Sequence, residues 1–318
     1  MEPEQSAESP GRVRRALGIT TGDLAAVVHG YPVMTKRDAG NVCVKGVNTT
    51  FSQRGPADDP EAVVFVHGNP GERHDWAPMM EALDPTIRAV ALDMPGFGGA
   101  DRPRRFDYSL QGYGRHLSGF LDALGIKRAH VVAHDLGGPW CFAWARTRRQ
   151  SLASLVLINS GILLGFQWHA VARLWQTPFL AEISMALLNR WTFDRLLDAG
   201  NPRALPKAFL ERIYGTIDAG NKRAVRALYR SMRPIGEIFQ GMADDLGGLP
   251  IPVLVIWGTE DPYLPVHYAT RQAAIFPNAS VHLLAGCGHW PFIDDPERVI
   301  DLVVPFVHAQ KDSGSRSA

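Results

Sequence analysis

Five short apolar runs recur along the chain, and each is followed by turn residues and then by a helix-like spacing of apolar positions. Continuous apolar strands that alternate with helices are typical of a mostly parallel sheet buried on both faces. We therefore expect an α/β fold, with a mostly parallel twisted sheet flanked by helices. An earlier stretch, NVCVKGVNTTFSQRG, predicts an antiparallel hairpin at the sheet edge. The five runs are AVVFVHG from Ala62, IRAVALD from Ile87, AHVVAHD from Ala129, LASLVLIN from Leu152 and IPVLVIWG from Ile251.

The strand signals stop after the fourth run and return only at the fifth. Between them, stretches such as WHAVARLWQ and FLAEISMALLNRWTFDRLL place apolar residues three and four positions apart, which predicts helices. We interpret this segment as a helical cap inserted between two strands of one sheet. The two chain ends have the composition of loose tails. The expected division is a tail at 1–20, a core at 21–160 and 249–310, a cap at 161–248 and a flexible tail at 311–318.

The composition excludes several classes of partner. The 318 residues include 33 Lys and Arg against 32 Asp and Glu, a net charge of +1, so nothing favours nucleic acid. The three cysteines lie far apart without metal-ligand spacing, which fits a reducing compartment and no metal site. The N-terminus has no apolar signal segment, and LVLINSGILLGF is too short to cross a bilayer. We expect a cytoplasmic protein with a small-molecule substrate and no membrane partner. The sequence does not determine its oligomeric state.

A carboxylate stands at a sharp turn of the predicted sheet. Asp135, in AHDLGG, comes after the apolar run RAHVV and before the helix-like PWCFAWA. The small residues Ala133 and Gly137 flank it, as in the strand-turn-helix elbow that presents a nucleophile in open α/β sheets. A helix N-cap is the alternative role for this aspartate. The neighbouring His134 fits a structural role, and Ser160 in INSGI lacks the elbow spacing.

Three more motifs accompany this turn, and in this order the four together resemble the α/β-hydrolase superfamily. HGNPG from His67 resembles the oxyanion loop of that family, and DMPGFG from Asp93 resembles its D-x-P-G-x-G turn. GCGHW from Gly286 resembles the loop that carries the catalytic histidine. The resemblance extends from about Val63 to Phe306 and implies the α/β-hydrolase fold.

The resemblance also implies roles for individual residues. His289 would be the base and Asp261, in GTEDPYLP, the acid that orients it, with Glu260 as the fallback. This order of nucleophile, acid and histidine along the chain matches that fold. The backbone amides of Leu136 and Asn69 would stabilise the oxyanion.

A carboxylate nucleophile restricts the class of reaction. Attack of Asp135 on a carbonyl would give an anhydride, so this residue is better suited to saturated carbon, where it forms an alkyl ester. His289 would then activate water to open that ester. The substrates with an electrophilic carbon and a leaving group are chiefly epoxides and alkyl halides. We expect a small apolar substrate, water as the second substrate, and no metal or organic cofactor.

The leaving group separates epoxides from halides. A ring-opened alkoxide must be protonated, for example by a tyrosine, whose ordinary pKa is about 10. NKRAVRALYRSMRP resembles a cap segment of epoxide hydrolases, which implies Tyr229 as the donor. A second cap donor has no clear counterpart. The candidates are Tyr214 and Trp191, with Trp168 and Trp175 as further indole donors.

Halide chemistry has one residue for it and one against it. Asn69 resembles the halide-binding asparagine of haloalkane dehalogenases, but Leu136 follows Asp135 where those enzymes, and many epoxide hydrolases, have tryptophan. The indole N–H that holds the halide is therefore missing. We expect an epoxide hydrolase, with haloalkane dehalogenase as the alternative. The absence of GxSxG disfavours a serine esterase, and the presence of all three triad residues disfavours a non-catalytic ligand-binding protein.

Overall fold

The computed structural model describes residues 39–199 and 201–315, so the tail expected at 1–20 lies outside the described residues. One sheet of eight strands forms its centre. The strands are β1 (Ala39–Val44), β2 (Val47–Arg54), β3 (Glu61–Val66), β4 (Ala89–Leu92), β5 (Arg128–His134), β6 (Leu152–Ile158), β7 (Val253–Gly258) and β8 (Ala279–Leu284). Their order across the sheet is β1-β2-β4-β3-β5-β6-β7-β8.

The strand pairing confirms the expected architecture. β1 pairs with β2 and β2 with β4 in antiparallel register, whereas all other neighbours are parallel. Strands β4, β6 and β7 are buried along their whole length, and β3 and β5 at every position after the first. Continuous burial requires cover on both faces, which explains why these runs contain no alternating polar positions.

Helices cover both faces of the sheet. Residues of α2 (Leu110–Ala123) and α3 (Gly137–Ala145) belong to one apolar cluster with β5, and residues of α1 (Ala77–Ala82) and α12 (Pro296–Ser315) to a second cluster on the other face. The helices outside the predicted cap are α1 (Ala77–Ala82), α2 (Leu110–Ala123), α3 (Gly137–Ala145), α10 (His267–Ile275), α11 (Pro291–Asp294) and α12 (Pro296–Ser315).

Among the described residues, six helices lie between β6 and β7, in the segment 161–248 that we call the cap segment. Helix α8 (Ala219–Ser231) of this segment buries Ala224, Val225 and Leu228, which follow the helical spacing of one face. Asn221 fixes this helix to the core by donating to the carbonyl of Gly96 at 2.9 Å. The helices are α4 (Ala170–Gln176), α5 (Leu180–Leu187), α6 (Arg190–Asp198), α7 (Lys207–Gly215), α8 (Ala219–Ser231) and α9 (Ile235–Leu246).

Two elements differ from the sequence-based expectation. Strand β8 has no continuous apolar run because it lies at the sheet edge, where most of its positions are partly or fully exposed. Helix α12 extends to Ser315, so residues 311–315 are helical where we expected a flexible tail. The amino group of Lys311 anchors this end by donating to the Asp59 carboxylate at 2.9 Å. In the described residues, no helix combines the length and apolar character needed to span a bilayer.

The parallel strands place four loops at one edge of the sheet. β3, β5, β6 and β7 run in the same direction, so their carboxyl ends meet there. An open parallel sheet binds its ligands outside this edge. The loops that follow these strands contain Asn69, Asp135, Asn159 and Asp261.

Candidate active site

Asp135 occupies the turn between β5 and α3. Its φ is +48°, in the left-handed region that side chains rarely adopt. The turn is tight, because a Cβ atom at Gly137 would lie 2.3 Å from the carbonyl oxygen of Val66. Glycine is therefore needed at position 137. The strained backbone of Asp135 is held in place by the surrounding strands.

The two carboxylate oxygens of Asp135 have different surroundings. Oδ2 accepts a hydrogen bond from the backbone N–H of Asn69 at 2.9 Å, and the Leu136 amide also bonds the carboxylate. Oδ1 lies 4.0 Å from Nε2 of His289. Burial raises the pKa of Asp135 above its ordinary value, and the charge of His289 and the two amides offset this only in part. The two backbone amides that we expected to stabilise the oxyanion, those of Asn69 and Leu136, thus contact the Asp135 carboxylate in the structure.

His289 and Asp261 form a buried pair. Nδ1 of the histidine donates to Oδ2 of the aspartate at 2.8 Å. The other aspartate oxygen accepts the backbone N–H groups of Tyr263 at 2.8 Å and Leu264 at 3.0 Å. Burial alone would raise the pKa of Asp261, but the charge and hydrogen bonds it meets leave that pKa below its ordinary value. The pair therefore holds an ionised carboxylate against the histidine.

The pKa of His289 is raised by its neighbours. Burial lowers it, but the charge of Asp261, its hydrogen bond and the charge of Asp135 together outweigh burial. With Nδ1 donating to Asp261, the free Nε2 faces Asp135 across 4.0 Å. An imidazole in this tautomer can accept a proton at Nε2.

Asn159 belongs to this group although the sequence analysis assigned it no role. Its side chain donates to Asp261 at 2.6 Å and to the carbonyl of Gly288 at 3.1 Å, and it accepts the N–H of Gly258 at 2.9 Å. It ties the loop after β6 to the loops that carry the acid and the histidine. Its position immediately after the buried strand β6 could have indicated this role, because the loop after β6 lies at the sheet edge where the carboxyl ends of the parallel strands meet.

Tyr229 reaches the same place from α8 of the cap segment. Its hydroxyl oxygen accepts a hydrogen bond from the Asn69 side-chain amide at 3.2 Å. Burial and the charge of Asp135 raise the pKa of Tyr229 well above its ordinary value, so the phenol stays protonated. The structure thus brings the predicted cap tyrosine to the predicted nucleophile.

The two candidates for a second cap donor lie elsewhere. Tyr214 packs against Phe193 and beneath the Arg190 guanidinium and does not line the cavity around Asp135. Trp191 is 66% exposed and likewise does not line it. The structure does not bring either residue to the candidate nucleophile, because Tyr214 packs against the second apolar cluster and the Trp191 side chain faces outward.

Tyr263 is the phenol that lines the cavity instead. It comes two positions after Asp261, and its ring lies 5.1 Å from that of His289. Burial and the nearby aspartates raise the pKa of Tyr263 to about 12. Its hydroxyl donates to the Leu196 carbonyl at 3.2 Å. The signal in the sequence was its place in the acid-bearing loop rather than in the cap.

The remaining sequence candidates have structural roles. Glu260, the fallback acid, is exposed, whereas Asp261 is buried against the histidine. Ser160 donates its hydroxyl to the backbone carbonyl of Asp135 at 2.6 Å. His134 lies 2.8 Å from the carbonyl oxygen of His289, and burial lowers its pKa to about 3. Both Ser160 and His134 thus fix the backbone beside the candidate site.

A small cavity joins these groups. It measures about 60 Å³, which is space for a few water molecules or one end of a small substrate. Trp168 also lines it, but its indole N–H donates to the Met232 carbonyl at 3.1 Å. Among the described residues, no group of three or more His, Cys, Asp or Glu side chains could hold a metal ion. The other apolar walls include Pro70, Leu136, Phe166, Val171, Trp175, Leu196 and Leu197.

The chain belongs to the alpha/beta hydrolase fold family, which matches residues 61–296. A 2-hydroxymuconate semialdehyde hydrolase from Pseudomonas putida is 33% identical over 227 residues, which cover 70% of this chain and 77% of that protein. A solved haloalkane dehalogenase loop variant from Bradyrhizobium elkanii has a TM-score of 0.76 at 21% identity, covering 88% of this chain and 99% of that chain. A meta-cleavage product hydrolase from Pseudomonas fluorescens has a TM-score of 0.71 at 25% identity, covering 86% and 99%. This protein is therefore an alpha/beta hydrolase.

Proposed function

We propose that this hydrolase opens epoxides to vicinal diols through a covalent ester on Asp135. The observation that carries the proposal is the two-sided environment of the Asp135 carboxylate. Oδ2 accepts the backbone N–H of Asn69 at 2.9 Å, and the Leu136 amide also bonds the carboxylate, while Oδ1 lies 4.0 Å from Nε2 of His289. One oxygen is thus stabilised in place while the other is available to attack.

In the first step, Oδ1 of Asp135 forms a bond to an epoxide carbon and the ring C–O bond breaks. The released alkoxide takes the hydroxyl proton of Tyr229. The Asn69 side-chain amide donates to the Tyr229 oxygen at 3.2 Å, so the phenol hydrogen is not used in this bond and can be donated to the alkoxide. The phenolate that forms still accepts the hydrogen bond from Asn69. General acid assistance of this kind contributes about 10²–10⁴-fold.

In the second step, water attacks the carbonyl carbon of the Asp135 ester. His289 accepts the proton of this water at Nε2, and the ionised Asp261 stabilises the imidazolium that forms. The oxyanion develops on Oδ2, which the Asn69 amide already contacts, and the Leu136 amide bonds the same carboxyl group. The bond between the carbonyl carbon and the substrate oxygen then breaks, and the proton held by His289 passes to the leaving alkoxide to give the diol. The proton on the new Asp135 carboxylic acid, which came with the attacking water, passes through solvent to the Tyr229 phenolate, so the carboxylate, the neutral histidine and the phenol are restored.

Haloalkane dehalogenation is the second candidate, supported by the Asn69 side chain and by the fold shared with the Bradyrhizobium elkanii enzyme. A halide leaves without a proton and needs N–H donors. Here the Asn69 amide donates to Tyr229, the Trp168 indole donates to a carbonyl, and Leu136 has no polar side chain. These contacts favour protonation of an alkoxide over binding of a halide.

The activity named for the Pseudomonas putida relative is not carried over to this chain, because a carboxylate attacking a carbonyl would give an anhydride rather than an ester. A non-catalytic ligand-binding role is the remaining alternative, and it would leave the aligned Asp135, His289 and Asp261 without a use.

A product assay tests the proposed activity. We would offer the protein an aryl epoxide and a bromoalkane of similar size, and measure diol by chromatography and bromide in solution. We expect diol formation that Asp135→Asn abolishes and Asp122→Asn leaves unchanged, since the Asp122 side chain is 47% exposed and paired with Arg148 on the surface. Bromide release without diol formation would instead support the dehalogenase.

A further inference from the structure

An apolar stripe lies on the outer surface of the cap segment. Among the residues that the structure describes, six large hydrophobic side chains are exposed, and five of them are in the stretch from Phe179 to Trp191. Leu180, Ile183 and Leu187 are spaced three and four positions apart, so they share one face of α5, with Phe179 directly before this helix and Trp191 at the start of α6. The exposed fractions are 82% for Phe179, 50% for Leu180, 57% for Ile183, 68% for Leu187 and 66% for Trp191.

From this stripe we infer that the protein forms a dimer in which the cap segments of two copies meet through these five side chains. An isologous contact needs one patch that is complementary to itself. A straight apolar ridge on a helix is such a patch, because it packs against an identical ridge across a two-fold axis.

The area of the stripe agrees with a dimer interface. An aromatic side chain can bury roughly 150–250 Å². Since Phe179 is 82% and Trp191 66% exposed, these two side chains together offer an area on the order of 300 Å². The three aliphatic side chains bring the total to about 400–500 Å². A standard interface buries about 800 Å² per partner, of which roughly 57% is apolar, or about 450 Å². The stripe supplies that apolar share.

The charges beside the stripe favour a second copy over a membrane. Helix α5, LAEISMAL, carries Glu182 and no lysine or arginine, whereas helices that lie on bilayers are rich in cations. The Glu182 carboxylate is paired with Arg230 at 2.8 Å, and Arg190 with Asp194 at 2.7 Å. With a net charge of +1 for the whole chain, two copies meet with little repulsion.

Contact through this stripe would also brace the candidate site. Leu196 and Leu197, further along α6, line the cavity of Asp135, whereas Trp191 of the same helix faces outward. A dimer of this kind would hold α6 from outside without covering the residues that line the cavity.

Sedimentation equilibrium of the full chain, without substrate, tests the inference. We expect the wild type at twice its 34.9 kDa mass at tens of micromolar, and the double variant Ile183→Glu, Leu187→Glu at the single mass. The control Leu283→Glu changes an exposed apolar residue, 41% exposed, on β8 outside the cap, and should remain a dimer. A wild-type circular dichroism spectrum and a single cooperative thermal transition in both variants show that the fold is intact.

A cross-link test does not depend on charged substitutions. In a Cys43→Ser background, which removes the exposed native thiol, Ile183→Cys should give a disulfide-linked dimer under mild oxidation. The same substitution at Leu283 should not.

A monomeric wild type, or a dimer that survives the double substitution, overturns the inference. A monomer that sediments with phosphatidylcholine–phosphatidylglycerol vesicles would assign the stripe to lipid, and a monomer that does not would assign it to cover by the chain's own residues. None of these outcomes bears on epoxide opening, because no substrate is present.

Discussion

The side-chain amide of Asn69 donates a hydrogen bond to the hydroxyl oxygen of Tyr229 at 3.2 Å. The backbone N–H of the same asparagine donates to the Asp135 carboxylate at 2.9 Å. One residue thus positions a cap phenol and the candidate nucleophile on the same cavity. An acid and a nucleophile aligned by a shared neighbour are what ring opening of an epoxide needs.

Replacement of Tyr229 by phenylalanine should slow alkylation of the protein by an epoxide. The ring and its packing are kept while the proton donor is lost, so we expect a fall of about 10²–10⁴-fold in the rate of ester formation. Rapid-quench measurement of the covalent adduct gives this rate directly. Hydrolysis of an ester formed beforehand should keep its wild-type rate.

The matched control is Tyr214→Phe, which removes a phenol of the cap segment that packs outside the cavity. Its alkylation rate should equal that of the wild type. If Tyr229→Phe alkylates as fast as the wild type, Tyr229 is not the ring-opening acid.

Tryptophan at position 136 should improve halide release. Leu136 lines the cavity directly after Asp135, so an indole there would place an N–H donor beside the leaving group. We expect Leu136→Trp to raise the rate of bromide release from a bromoalkane by about tenfold, the effect of one hydrogen bond of about 1.4 kcal/mol.

Leu136→Phe separates the N–H from the added bulk, since phenylalanine fills similar space without a donor. It should give no gain in bromide release, as measured with the same substrate. Equal gains in both variants would show that cavity shape, rather than hydrogen bonding, limits the reaction of halides.

Hydrolysis of the ester should depend on pH through His289. The base must be neutral, and in the unreacted protein the charges of Asp261 and Asp135 outweigh burial and hold the pKa of His289 above the ordinary value of about 6.5. In the ester only Asp261 remains charged to raise this pKa. The rate should rise with pH across the pKa of His289 and then level off. Single-turnover decay of the ester, followed between about pH 5 and pH 9, measures this.

The Asp261→Asn variant checks the cause of the shift. Without the charge of Asp261, the pKa of His289 should fall, so the rise in rate should move to lower pH while the plateau rate decreases. A plateau rate that decreases with no change in the midpoint would contradict the role assigned to Asp261.

The central sheet could be predicted from the sequence because burial on both faces demands continuous apolar runs. This reasoning found β3 to β7, and it missed β8, where the edge position allows exposed residues along the strand. Likewise, the positions of Asp135 and His289 follow from motifs whose turns are local. The segment AHDLGG predicts a sharp turn at Asp135, and the left-handed φ of +48° at this residue is the conformation that such a turn requires.

The cap side of the site was harder to predict, because which face of a helix points inward depends on packing between helices. Tyr229 was found through a resemblance, whereas Tyr214 and Trp191 were assigned to a cavity that they do not line. Asn159 was missed because its contact to Asp261 joins segments that are distant in sequence. Tyr263 was missed because its contact to Asp261 is made by its backbone N–H rather than by its side chain.

The covalent ester on Asp135 is tested most directly with the variant His289→Gln, which removes the base but keeps the nucleophile. The variant is incubated with an aryl epoxide, its intact mass is recorded, and the adduct is mapped by peptide sequencing. We predict a mass increase of one epoxide molecule, carried as a hydroxyalkyl ester on Asp135. An unmodified Asp135 in a variant that still consumes the epoxide, or an adduct on another residue, would contradict it.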